Sequence, residues 1–136
     1  MPKTGGCLCE GVRYEVHGPL RDVLACHCSQ CRKTSGHFVA ATAVETADLV
    51  FTQASTLHWF KSSETAERGF CSRCGGNLFW RQTGPGAHAI SIMAGTLDAP
   101  TGLKVYGHIF AADKSDYYTI TDSAPQSAQW PTTAHS

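Results

Sequence analysis

Three cysteines fall within six positions in the run Cys26-His27-Cys28-Ser29-Gln30-Cys31. Disulfide geometry requires particular Cβ separations, and three sulfurs leave one over in any case. Three thiolates converging on one cation is the more natural reading. A zinc ion held by three protein ligands keeps its fourth position for water or substrate, as catalytic sites do. The remaining cysteines, Cys7, Cys9, Cys71 and Cys74, make a complete tetrahedral set. The seven thus divide into a closed site and an open one, two zinc ions per chain. The closed ion would tie the N-terminal segment to a central hairpin and contribute directly to folding free energy.

Other readings of the three-cysteine run stand beside this one. A histidine, His27, His37, His58 or His108, would close the second site and make both structural, as in a non-catalytic zinc module that binds a protein or peptide. Cys28-Ser29-Gln30-Cys31 is also a Cys-x-x-Cys pair able to cycle as a disulfide, though the βαβ context of thioredoxin-like proteins is absent. For the other set, some of Cys7, Cys9, Cys71 and Cys74 would otherwise be small buried hydrophobes.

Charge bookkeeping says what an open site would do. Zinc with three thiolates carries a net charge of about −1 and is a poorer Lewis acid than zinc on neutral histidines. It suits a soft sulfur ligand, which it would deprotonate without exhausting its nucleophilicity. The expected chemistry is attack of a bound thiolate on a small electrophile. Arg32 and Lys33 follow one cluster and Arg73 lies inside the other, placed to hold substrate carboxylates or to balance the anionic sites. His27, wedged between two ligands, is read as structural.

These residues must be carried by short strands. At 136 residues the chain is one domain, with 42% hydrophobic and 16% charged residues. Eleven basic residues balance eleven acidic ones, which gives no field to steer a nucleic acid. Neither a signal peptide nor a run long enough for a membrane helix is present, so a cytoplasmic protein is expected, where clustered cysteines favour metal or catalysis over disulfides.

Cys7-Leu8-Cys9, if extended, points both sulfurs to one side. Val12, Tyr14 and Val16 alternate with Arg13, Glu15 and His17, the pattern of a half-buried strand, and residues 20–25 are expected to pair back on it and deliver Cys26. Residues 29–35 fit a short helical turn with Ser29 as N-cap and Gly36 as stop. Further strands are expected over 38–44, 49–52, 56–60, 65–70, 78–82, 87–93, 104–111 and 117–121. Cys71-Ser72-Arg73-Cys74-Gly75-Gly76 forms a knuckle whose glycines free the turn. Tyr14, Trp59, Phe79 and Trp80 are expected in the core. The fold class is mainly β, with residues 1–123 a zinc-binding β domain and 124–136, rich in Ser, Pro, Gln and Thr, a loose tail.

Residues 5–14 (GGCLCEGVRY), 26–36 (CHCSQCRKTSG) and 70–75 (FCSRCG), together with 107–114 (GHIFAADK) and 120–122 (ITD), resemble the glutathione-dependent formaldehyde-activating enzyme family. The resemblance implies a tent-like, mainly β zinc fold of short antiparallel strands with little helix. It implies a structural zinc on Cys7, Cys9, Cys71 and Cys74 and a catalytic zinc on Cys26, Cys28 and Cys31. The activity it implies is carbon–sulfur lyase chemistry, the joining of a small-molecule thiol, glutathione, to an aldehyde, formaldehyde.

Overall fold

The computed structural model describes residues 2–130. Two sheets carry the chain. β1 (Lys3–Gly6), β2 (Arg13–Val16) and β5 (Leu49–Gln53) form one, in the order β1-β2-β5. The other has seven strands: β3 (Val23–Cys26), β4 (Val39–Glu45), β6 (Leu57–Ser63), β7 (Ala66–Cys71), β8 (Asn77–Gln82), β9 (Ala89–Met93) and β10 (Val105–Ile109). Their order is β10-β3-β4-β9-β8-β7-β6. The one α-helix among the described residues, α1 (Ser29–Ser35), follows β3. The fold is mainly β with little helix, and one pairing, β10 with β3, is parallel where antiparallel strands were expected. No helix among the described residues is long and apolar enough to cross a membrane.

Side-chain alternation splits the seven-stranded sheet into two chemically different faces. Val44, Phe79, Ile90 and Ile92 turn toward the small sheet and meet Val12, Tyr14 and Val16 in the main core, which also takes in Cys7 and Cys71. The other face carries a smaller cluster of Val39, Ala41, Met93 and Cys31, against which Cys26, Cys28 and Trp80 pack. The cysteine groups therefore belong to different packing environments.

Phe79 is fully buried, edge-on to Tyr14 at 5.5 Å and to Phe51 at 5.6 Å, with Trp59 stacked at 6.0 Å. Phe79→Ala is expected to cost about 3–5 kcal/mol, the usual range for emptying a buried aromatic site, seen as a lower urea midpoint at unchanged slope. Trp80, expected in the core, faces the smaller cluster and is only partly buried.

Several sequence expectations are corrected. Lys3–Gly6, where the glycine pair Gly5-Gly6 reads as a turn, is a strand, paired to β2 through Lys3↔Val16 and Gly6↔Arg13. β3 does not pair back on β2. It lies between β4 and β10, because residues 17–22 form a crossing rather than a hairpin turn. Cys7–Gly11 is a tight turn, not extended chain, closed by Cys7 N–H donating to Val12 O at 3.1 Å. Cys28, not Ser29, caps α1, while Gly36 ends it in the left-handed region at φ 82° as expected. Tyr117–Thr121 is irregular, its tyrosine hydroxyls engaged by histidines.

Part of the expected tail is held against the sheet. Pro125 and Gln129 carbonyls accept from His108 and Phe110 N–H, at 2.8 and 2.9 Å, so residues 125–129 are hydrogen-bonded beside β10 rather than loose. The rest of the expected tail, residues 131–136, lies outside the described residues.

Candidate metal centres and cavity

The cysteines gather as the spacing predicts, one group of Cys7, Cys9, Cys71 and Cys74 and another of Cys26, Cys28 and Cys31, all sulfurs of each group within 4.8 Å of one another. All seven are free thiols. In the first group Cys9 Sγ lies 3.6 Å from Cys7 Sγ and 3.5 Å from Cys71 Sγ. These separations exceed a disulfide bond, about 2.05 Å, and suit tetrahedral zinc with Zn–S of about 2.3 Å.

The backbone solvates these sulfurs as it would thiolates. Cys71 Sγ accepts from Thr56 Oγ1 at 3.1 Å and from the N–H of Arg73 and Cys74 at 3.4 and 3.3 Å. The knuckle turn that points those N–H groups inward requires φ 77° at Gly75. Burial raises the Cys71 thiol pKa, and the hydrogen bonds from Thr56, Cys74 and Arg73 outweigh it, bringing it down to about 5. Arg73 donates to Cys9 Sγ at 3.2 Å and Cys9 O at 3.1 Å, so it belongs to this cluster rather than to a substrate.

The second group is assembled by one strand end and one helix start. β3 delivers Cys26, Cys28 caps α1 by accepting from Cys31 N–H at 3.4 Å, and Cys31 follows in the first turn, 5% exposed. The Cys31 thiol is lowered to about 6 by hydrogen bonds from Cys26, with Cys28 and the Arg68 guanidinium acting in the same direction. No histidine joins these three sulfurs among the described residues.

They open on a cavity of about 450 Å³, which Cys26, Cys28 and Cys31 line and the other four cysteines do not. Its walls are largely apolar, with Leu24, Val39, Trp80, Met93, Ile109 and Phe110 among them. Trp130 closes one side, edge-on to Phe110 at 5.0 Å.

Two features here were not found from sequence. Arg68, on β7, is 6% exposed and donates from Nη2 to Gln30 Oε1 at 3.3 Å and toward Cys31 Sγ at 3.8 Å. The signal available was a charged residue alternating with Ala66 and Phe70 on one strand face. Arg32 and Lys33, the cations singled out beside this cluster, are not among the residues lining the cavity.

The other is a chain of hydrogen bonds through the buried His27 and His108, running from Tyr118 to the exposed Asp122. Tyr118 Oη meets His27 Nδ1, His27 Nε2 lies 2.9 Å from His108 Nδ1, and His108 Nε2 lies 3.0 Å from both Asp122 oxygens. The Asp122 carboxylate is held below its usual range by His108, so it is ionised at neutral pH and can only accept. His108 Nε2–H therefore donates to Asp122, His27 Nε2–H to His108, and Tyr118 to His27. Burial, with nearby His108, pushes the His27 pKa down to about 4, which keeps the ring neutral as this order requires. The parallel β3–β10 pairing builds the chain by setting His108 beside Ala25 and Ile109 beside Cys26. Removing His108 leaves the His27 donor buried without an acceptor, so His108→Ala is expected to cost about 1–3 kcal/mol for that group. Chemical denaturation measures it.

The chain matches the family model for glutathione-dependent formaldehyde-activating enzyme over residues 2–113. An uncharacterized lyase of Schizosaccharomyces pombe is 26% identical over 124 residues, 90% of this chain and 88% of that one. A Rhodobacter sphaeroides protein of known crystal structure superimposes with a TM-score of 0.58 at 25% identity, covering 73% of this chain and 91% of that one. With its family match spanning most of the length and every cysteine of the sequence gathered in one of two clusters, the chain belongs to the glutathione-dependent formaldehyde-activating enzyme family.

Proposed function

We propose that this protein is a zinc-dependent enzyme of carbon–sulfur chemistry that joins a small thiol to a small aldehyde, formaldehyde and glutathione being the pair the family name supplies. Family membership and the lyase name of the Schizosaccharomyces pombe relative support a lyase-like role with small-molecule substrates. The observation that carries the reading is the difference between the two clusters. Three sulfurs line a cavity, whereas the other four lie apart from it.

The donor sets fit zinc on the chemistry of their atoms: soft sulfurs, gathered closely, several accepting N–H bonds. Cys7, Cys9, Cys71 and Cys74 would hold a structural ion and Cys26, Cys28 and Cys31 a catalytic one. A zinc ion at the second place supplies a site where a substrate thiol is held as thiolate. The chain's own residues do the rest. The apolar wall of Trp80, Met93 and Phe110 excludes water and confines the aldehyde near the sulfur. Carbon–sulfur bond formation moves the carbonyl π pair onto oxygen, which gains a proton as the thiol loses one, so no oxidant or reductant is consumed. The His27–His108–Asp122 chain fixes the loop between Cys26 and Cys28 from behind.

Exchange of formaldehyde with glutathione and with small thiols, followed by NMR with and without the protein, tests the reading. Acceleration is expected with at least one thiol. Exchange at the spontaneous rate for all of them, together with a cobalt-substituted protein whose visible spectrum ignores added thiol, would leave a non-catalytic module with two structural ions.

A further inference from the structure

Arg68 is a buried cation in an unusual position. With 6% of its surface exposed, a guanidinium normally faces a carboxylate, because an uncompensated buried charge costs several kcal/mol. Among the described residues no carboxylate lies within ion-pair distance of it. Its contacts are one amide oxygen, Gln30 Oε1, and one sulfur, Cys31 Sγ, and Nε is buried with no partner at all. A guanidinium has five N–H donors in a planar fork that matches a carboxylate. The cavity's other arginine, Arg21, commits its donors to the backbone oxygens of Ala41 and Asp22 at 3.1 and 3.2 Å. Asp113, the acidic residue lining the cavity, is exposed at its surface.

We propose that Arg68 is a substrate-recognition residue, holding a carboxylate carried close to the reacting sulfur, and that the thiol substrate is a small mercapto acid with an otherwise apolar body. The reach sets the class. Nη2 lies 3.8 Å from Cys31 Sγ, so an acid group bound to it sits within a few ångströms of any sulfur gathered by the three cysteines. A carboxylate one or two carbons from the thiol spans that interval. Both carboxylates of glutathione are separated from its sulfur by a peptide link and fall outside it. The apolar lining from Trp80, Met93 and Ile109 suits the short hydrocarbon between the two groups.

This inference rests on the open-site reading above, and its test is a binding measurement, independent of turnover. Mercaptoacetate and 2-mercaptoethanol, alike in size and differing in charge, are titrated calorimetrically into the zinc-loaded protein, with zinc content determined for every sample. Mercaptoacetate is expected to bind at least about tenfold more tightly, the discrimination of one charge-assisted contact. Arg68→Met removes the preference, and Arg68→Lys keeps the charge and part of the preference. Equal affinities on the unmodified protein overturn the proposal while leaving the open site standing, and mark Arg68 as a counter-charge for the thiolates. If neither thiol binds, the open site fails and the proposal with it. Should Arg68→Met lose its zinc, the unmodified protein and Arg68→Lys still decide.

Discussion

Cys71→Ser is expected to abolish the fold. Cys71 is fully buried in the main core, and its sulfur gathers Thr56, the Arg73 and Cys74 N–H groups and Cys9 around one point. Serine cannot replace the thiolate as a zinc ligand, and its shorter side chain leaves those donors without an acceptor. Structural zinc contributes about 10–16 kcal/mol in zinc-finger peptides, whereas a domain of this size has about 5–15 kcal/mol in total. A loss of the former size is comparable to or larger than the whole of the latter. The variant should lose its near-ultraviolet circular dichroism and its cooperative melt, and a strong chelator should do the same to the native protein. A Cys71→Ser protein that melts cooperatively near the native midpoint would refute the structural assignment of this cluster.

Cys31→Ser is expected to give the opposite pattern. Cys31 belongs to the smaller cluster on the other face of the large sheet, separate from the core that holds Cys7 and Cys71. Zinc should fall from two per chain to one with the melting transition retained, and thiol–aldehyde exchange should drop by at least about 100-fold, more than loss of an outer-shell partner usually costs. Elemental analysis on the purified variant, beside its melting curve, reads both at once. Simultaneous loss of both metals would show that the two clusters are energetically one.

The gathering of the cysteines into two groups was legible in the sequence because it depends on residue type and spacing. Sulfur chemistry is written in the cysteines themselves, and the glycines after Cys71-Ser72-Arg73-Cys74 supply the turn a knuckle needs. β2 was legible for a similar reason, since Val12, Tyr14 and Val16 bury one face at a period of two. β1 was not: Lys3-Thr4-Gly5-Gly6 has no apolar pattern and becomes a strand only because β2 offers an edge. Tyr117–Thr121 has strong strand propensity, but its hydroxyls are drawn to His27 and His37, and side-chain hydrogen bonds override propensity there. Arg68 escaped notice because an arginine is assumed solvated. What buries it is α1, whose Gln30 reaches it from 38 residues earlier in the chain. The His27–His108–Asp122 chain escaped for the same reason, since a parallel pairing between distant strands leaves no local trace.

The segment that returns along β10 gives the molecule a division of labour along its length. The family match ends at residue 113, and every sulfur lies before that point. Trp130, part of the cavity wall, lies after it, as do Tyr118 and Asp122, which brace His27 and His108. Substitutions at Trp130 can reshape one wall of the cavity without touching any of the seven cysteines. Exchanging residues 115–130 between two relatives should change the affinity for the apolar part of a substrate through Trp130, while leaving the selection made by Arg68 and the metal content unchanged.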